Sequence, residues 1–130
     1  MKRLSTFAVY ANPAPLLVSR QALFPGIIRL ADGRLLALFS IGQAFDAADM
    51  RSFVSISSDD GQNWSEPRRL NAHEADPPEQ ESFKPIALRD GRLLATGYVF
   101  ERPDPLQPIV DPFTFELPRL VPKMSVSTDG

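Results

Sequence analysis

The hexapeptide Asp-Gly-Arg-Leu-Leu-Ala occurs twice in this chain, at residues 32–37 and, 58 residues later, at residues 90–95. In both copies a short apolar run stands before the Asp-Gly pair, and the apolar end of the hexapeptide follows it. Asp-Gly between two apolar runs is the strongest local signal for a β-hairpin, because both residues tolerate the positive φ that a tight turn requires. The repeat therefore predicts an antiparallel all-β fold built from copies of one unit, and no helix is expected.

The octapeptide SSDDGQNW at residues 57–64 is a second turn signal, and it follows the first hairpin. The residues before it alternate apolar and small polar side chains, which is the period of a half-buried strand. Residues 65–70 are predicted to form an outer strand, because their proline is tolerated only at a sheet edge. In the turn, Asp59 can accept from backbone N–H groups two residues further on, Gly61 can take a positive φ, and Trp64 can fold back over the turn.

The end of the chain repeats the strand and the first half of this turn at residues 124–130, with Ser127 in the place of Ser57 and Asp129 in the place of Asp59. A folded domain does not normally finish inside a hairpin that needs its second strand. We therefore expect this chain to be the N-terminal piece of a longer protein.

The spacing Ser-x-Asp-x-Gly-x-x-Trp resembles the Asp-box of the bacterial sialidase (neuraminidase) repeat, and it matches at the defining positions Ser57, Asp59, Gly61 and Trp64. Its place after a repeated hairpin also resembles a blade of the sialidase-type β-propeller, in which the Asp-box joins the third strand to the fourth. The resemblance covers about residues 22–130.

This resemblance implies one all-β domain over residues 1–130, made of two antiparallel four-stranded blades from a propeller of the six-bladed sialidase class. Blade one spans about residues 22–70 and blade two about residues 83–130, where the last strand is missing. The partners implied are the remaining blades of the longer protein and a carbohydrate substrate or ligand.

Composition excludes several other classes of partner. A net charge of -2, with basic residues scattered among acidic ones, provides no patch for nucleic acid or for a membrane surface. With no cysteine and only His73, thiolate and histidine-rich metal sites are not expected, nor is a cofactor. Residues 1–11 resemble a signal peptide only faintly, since Ser5 and Thr6 interrupt the apolar core, and we expect a β-strand there. The compartment stays open, and this pattern favours the cytoplasm.

In the sialidase family the Asp-box is structural and lies on the face opposite the active site. Function is therefore expected from three connections on the other face, at residues 42–52, 71–83 and 101–123. Counting back from the Asp-box tryptophan places Asp46 at the position of the family's acid/base aspartate, with Asp49 as the neighbouring alternative. The competing interpretation is a solvated loop aspartate that caps a turn.

The chain departs from the family at two arginines. Leu23 stands in the place of the arginine of the Arg-Ile-Pro motif, which holds the substrate carboxylate, and residues 40–43 contain no arginine where the second family arginine is expected. Arg20 or Arg51 could substitute from nearby. Glu81 and Lys84, at the start of the inner strand of blade two, are further candidates for the substrate pocket.

Two functions follow from these residues. The first is a sialidase-like glycoside hydrolase acting on terminal sugars of glycans, whose tyrosine nucleophile and partner carboxylate would lie in later blades, so that this piece alone would be inactive. The alternative is a non-catalytic Asp-box propeller that binds a glycan or a protein. The missing arginines favour the second function, and the position of Asp46 favours the first.

Overall fold

The computed structural model describes residues 5–13 and 19–127 of the chain. Over these ranges it contains β-strands and turns without any helix, and hence no helix that could cross a membrane. Asp129, the aspartate predicted to repeat Asp59, lies outside the described residues. The strands are β1 (Gln21–Arg29), β2 (Leu35–Gly42), β3 (Arg51–Ser57), β4 (Arg68–Arg69), β5 (Glu79–Ala87), β6 (Leu93–Glu101) and β7 (Leu120–Ser127).

The strands form two antiparallel sheets. The four-stranded sheet has the order β1-β2-β3-β4, and the three-stranded sheet has the order β5-β6-β7, so that each strand pairs with its neighbour in sequence. This confirms the prediction of an all-β chain with two antiparallel sheets. The first sheet begins and ends close to the predicted unit of residues 22–70, and the second begins at Glu79, four residues before the predicted boundary at residue 83.

Both Asp-Gly hairpins have the same turn. In the first, the backbone N–H of Gly33 donates to Leu30 O at 3.0 Å, and the N–H of Leu30 donates to Arg34 O at 2.8 Å. Only the glycine takes a positive φ, of 92°. This is a type I turn followed by a glycine bulge, in which the aspartate needs no positive φ. Asp32 instead accepts hydrogen bonds from the N–H and the guanidinium of Arg34, and Asp90 does the same for Arg92.

The predicted outer strand at residues 65–70 is wrong in extent, because only β4 is paired as a strand. Before β4, Ser65 anchors the chain to β3 through individual contacts: its N–H donates to Ile56 O, and its hydroxyl accepts from the N–H of Ile56. Pro67 has no N–H to continue a ladder, which limits the strand to the residues after it.

The predicted N-terminal β-strand is also wrong for the residues described, because residues 5–13 form no strand. This segment packs against the first sheet, where Val9 and Tyr10 contact a buried cluster of Ala37, Phe39 and Ile41. Apolar burial, rather than a backbone ladder, therefore holds the segment in place.

The main core lies between the two sheets. It joins Leu36 and Leu38 of β2 to Phe83 of β5 and to Ala95 and Val99 of β6, all of which are buried. These residues alternate along their strands, so each sheet directs one face toward the other. The opposite face of the second sheet exposes apolar side chains, including Ile86, Tyr98, Leu120, Met124 and Val126.

The strands β1 and β5 approach closely at Gly26. A Cβ atom added at Gly26 would lie 2.7 Å from Cδ of Pro85. The first strands of the two sheets are therefore neighbours, and the missing side chain at Gly26 permits this contact.

Candidate functional site

The Asp-box turn and the connection with Asp46 lie at opposite ends of the first sheet. In the pairing of β2 with β3, Leu35 opposes Ser57 next to the Asp-box, whereas Ile41 opposes Arg51 next to the connection. The N–H of Glu81 donates to Met50 O at 3.0 Å, so the start of β5 lies at the same end as the connection. Candidate site residues from both sheets can therefore meet there.

The Asp-box turn is held by a closed set of hydrogen bonds. The Asp59 carboxylate accepts from the Ser57 hydroxyl at 2.9 Å and from the N–H and side-chain amide of Asn63 at 2.9 and 2.6 Å. The backbone donor lies four residues on, not two, because Gly61 at φ 88° turns the chain back. Gly61 donates to the Ser57 hydroxyl and accepts from the indole N–H of Trp64. These hydrogen bonds, led by those from Asn63, lower the pKa of Asp59, and they leave its carboxylate in a structural role.

Asp46 is half-buried in the connection between β2 and β3 and has a left-handed backbone with φ 60°. Its Oδ1 accepts a hydrogen bond of 3.3 Å from the side-chain amide of Gln80, on β5. Its backbone carbonyl accepts from the guanidinium of Arg102, just after β6, at 3.2 Å. This aspartate is therefore tied to the second sheet and is not a freely solvated loop residue.

Asp49, the alternative acid, has a local role. Its Oδ1 accepts from the backbone N–H of Gln43 at 3.1 Å and so closes the connection on itself. This is the turn-capping arrangement that short acidic side chains commonly make. Of the two aspartates, only Asp46 contacts the second sheet through its carboxylate in the hydrogen bonds of the described residues.

Arg51 is committed to acceptors within the protein. Its side chain is 13% exposed, and its Nε donates to Glu74 at 2.9 Å. Its Nη1 donates to the carbonyl oxygens of Ala48 and Met50. Glu74 also pairs with Arg69 at 2.6 Å, and the hydrogen bonds from Arg51 and then Arg69 lower the pKa of Glu74. The guanidinium of Arg51 therefore holds the connection together.

Glu81 lies between the sheets, where it is 4% exposed. Its carboxylate accepts from the N–H of Ser52 at 2.8 Å and from the side-chain amide of Asn71 at 3.0 Å. Its backbone carbonyl accepts from the Ser40 hydroxyl at 3.0 Å. Both carboxylate oxygens are thus used inside the protein, and this side chain joins the two sheets.

Lys84 lies on the other face of β5 from Glu81, because residues three apart in a strand point to opposite sides. Its ammonium donates to the carbonyls of Phe24 and Pro25 and lies 5.7 Å from the centre of the Phe24 ring. Burial lowers the pKa of Lys84. Phe24, with φ 55°, lies in an irregularity of β1 between Leu23 and Gly26, and Lys84 fastens this bulge to the second sheet.

Gln80 and Arg102 are the two residues of this region that the sequence analysis missed. Each is 4% exposed, and the Arg102 Nη1 donates to Gln80 Oε1 at 2.5 Å. The Arg102 Nη2 donates to the carbonyl of Gln107 at 2.6 Å. The contacts that Gln80 and Arg102 make with each other and with Asp46 join residues 22 to 56 positions apart in sequence, so no local motif marks them. The sequence signal for these two residues is that each is polar and lies next to an end of a strand: Gln80 at the start of β5, and Arg102 directly after β6.

In the part of the chain that the structure describes, no group of three or more His, Asp or Glu side chains is arranged to hold a metal ion. No protein-family model matches the sequence, and no curated protein matches it. A functional assignment must therefore come from the residues and their geometry.

Proposed function

We propose that this chain contributes two blades to a sialidase-like β-propeller glycoside hydrolase that acts on terminal sugars of glycans. One observation carries the proposal. A complete set of Asp-box hydrogen bonds stands at one end of the first sheet, and at the other end Asp46 is half-buried and held from the second sheet by Gln80. The resemblance noted in the sequence places the acid/base aspartate in this relationship to the Asp-box.

Two further features support the propeller. The sheets pack face to face with their first strands adjacent at Gly26, which is how neighbouring blades are arranged around an axis. A cavity of about 310 Å³, lined mainly by apolar side chains including Leu36, Val54 and Leu93, opens between the sheets beside β7. A fourth strand paired with β7 would cover this cavity, and a further blade would cover the exposed apolar face of the second sheet.

In the proposed reaction, Asp46 in its protonated form donates a proton to the glycosidic oxygen as the bond to the leaving group breaks, and its carboxylate then accepts a proton from the attacking water. The nucleophile and its partner carboxylate are supplied by other blades. A loop position and partial burial both suit this role, since the acid must reach the substrate and yet be shielded from bulk water.

The alternative is a non-catalytic propeller that binds a glycan or a protein. It is favoured by the lack of an arginine that is free to bind a substrate carboxylate at the two positions considered. Leu23 stands where a carboxylate-binding arginine is expected, and Arg51 is already paired with Glu74. A site of this kind would hold a sugar without the charge-assisted clamp that acidic substrates need.

The test is Asp46→Asn in the complete protein with all of its blades, assayed on aryl glycosides with good and with poor leaving groups. Asparagine tolerates the left-handed backbone of Asp46, so folding should be preserved. Turnover of the poor-leaving-group substrate should fall by roughly 10²- to 10⁴-fold, while the activated substrate, which needs less protonation, should be much less affected.

Asp49→Asn is the matched control, because it alters an aspartate of the same connection without touching Gln80. It should leave the ratio of the two activities near that of the wild type. Complete absence of hydrolysis by the wild-type protein, together with glycan binding, would instead favour the non-catalytic propeller. Unchanged turnover in Asp46→Asn would remove Asp46 as the acid.

A further inference from the structure

A single buried guanidinium joins the three connections from which function is expected. Arg102 donates to the backbone carbonyl of Asp46 in the first connection, to Gln80 Oε1 in the second and to the carbonyl of Gln107 in the third. Burying a guanidinium is costly unless its donors are satisfied, so these contacts define its position closely.

The orientation of the Gln80 amide follows from this contact. A guanidinium has donors only, so the Gln80 atom that faces Arg102 must be the oxygen. The NH2 group of the same amide then points toward Asp46 and donates to its Oδ1 at 3.3 Å. Arg102 therefore determines that the carboxylate of Asp46 faces the NH2 group of Gln80, which is a hydrogen-bond donor, and not its oxygen.

The charge of Arg102 is balanced indirectly. None of the ion pairs among the described residues involves Arg102. The carboxylate connected to it is that of Asp46, with the Gln80 amide between the two groups. The Gln80 donor occupies Oδ1 and leaves Oδ2 as the carboxylate oxygen that can face a substrate.

We propose that Gln80 and Arg102 are positioning residues for Asp46, an inference that rests on the glycosidase function proposed above. Arg102 fixes both the left-handed backbone of Asp46 and the orientation of the Gln80 amide. Gln80 then directs the exchangeable proton of Asp46 to Oδ2, the oxygen that must face the glycosidic bond.

The test compares Gln80→Leu, Gln80→Glu and Arg102→Lys in the complete protein, with Arg119→Lys as the control. Leucine removes the donor, and glutamate places a carboxylate beside Asp46. Lysine keeps the charge of Arg102 but loses the planar fork that reaches three acceptors. Arg119 pairs with Glu101 on the surface, so its replacement tests a generic loss of an arginine in the same connection.

In Gln80→Leu, kcat for the substrate with a poor leaving group should fall about 10-fold with little change in KM, because orientation of the acid matters most in the transition state. The activated substrate, which needs less protonation as it leaves, should lose much less rate in Gln80→Leu, in Gln80→Glu and in Arg102→Lys. Arg119→Lys should leave both rates near those of the wild type. A residue with only a structural role would lower the two rates equally.

A second measurement separates this inference from the proposed function. The carboxyl carbon of Asp46 is observed by NMR of carboxyl-labelled aspartate in the complete protein at one fixed pH, with Asp46→Asn to assign the signal. If the wild type hydrolyses no glycoside, and the Asp46 signal is displaced in Gln80→Leu and in Arg102→Lys but not in Arg119→Lys, the glycosidase proposal fails while the positioning of Asp46 is supported. If hydrolysis depends on Asp46 but its signal stays in place in both variants, the positioning inference is overturned.

Discussion

The carboxylate of Glu81, on β5, accepts a 2.8 Å hydrogen bond from the backbone N–H of Ser52, on β3. The same carboxylate accepts from Asn71, so one buried side chain satisfies two donors where the sheets meet. Glu81→Leu should lower the free energy of unfolding by about 3 kcal/mol, because buried donors are left without an acceptor. Urea unfolding of the complete protein measures this change.

Glu66→Leu is the control for Glu81→Leu, since Glu66 is exposed near the sheet edge, and its effect should stay within about 0.5 kcal/mol. Glu81→Gln keeps one acceptor for Ser52 and should cost less than Glu81→Leu. Equal stability of Glu81→Leu and Glu66→Leu would show that Glu81 does not join the sheets.

The Asp-box predicts a dependence of stability on pH. Hydrogen bonds from Asn63 hold the pKa of Asp59 below its ordinary value in the folded state. The ionised carboxylate therefore stabilises the fold above the unfolded-state pKa of about 3.9, and this stabilisation is lost as the pH falls through the lowered folded-state pKa. Asp59→Asn should lower Tm most at neutral pH, and the difference from wild type should shrink toward about pH 3.

Thermal unfolding over this pH range checks the Asp59 prediction. Asp60→Asn serves as the comparison, because the Asp60 carboxylate forms an exposed ion pair with Arg29. Its Tm should differ little from wild type at any pH. A deficit in Asp59→Asn that grows on acidification would contradict the assigned direction.

The contact between β1 and β5 predicts a specific steric effect. Gly26→Ala introduces a Cβ 2.7 Å from Cδ of Pro85, and the clash should destabilise the protein by about 2 kcal/mol. Pro85→Ala in the same protein should recover part of this loss. Gly33→Ala provides the contrast, because nothing lies within 4 Å of the added Cβ and only its φ of 92° opposes the change. If Pro85→Ala relieved both substitutions equally, the close approach would not be the cause.

The exposed face of the second sheet predicts self-association of the 130-residue chain expressed alone. Met124, which is 62% exposed, lies midway along β7, the edge strand of this sheet. Met124→Glu should reduce association in sedimentation velocity, whereas Met124→Leu, which keeps the apolar surface, should not. If the proposed further blades cover this face in a longer protein, the same glutamate should be destabilising there, because a neighbouring blade would bury it. A monodisperse wild-type chain would count against the need for further blades.

Local signals were enough to predict the hairpins and the turn at residues 57–64, because turn residues and strand period act within a few residues of each other. Local signals failed where contacts between residues far apart in the sequence decide the structure. Residues 5–13 are apolar enough for a strand, yet they pack on the first sheet through Val9 and Tyr10. The outer strand is reduced to β4 because Ser65 binds β3 before Pro67 interrupts the ladder.

The candidate site was also only partly predictable from local sequence. Asp46 was selected by its distance from the Asp-box, which reflects the fixed length of one sheet. Glu81 and Lys84 are both predicted as pocket residues, whereas the structure places them on opposite faces of β5, because residues three apart in a strand face opposite ways. Gln80 and Arg102 could not be found in this way, because their contacts join different sheets.

The separation of the first hairpin turn from Asp46 has a practical consequence. The turn and Asp46 lie at opposite ends of β2, whose eight residues span about 26 Å. A peptide tag grafted into the hairpin at Gly33 would project away from Asp46. The protein could then be attached to a solid support through this end, with the connection that carries Asp46 directed into solution.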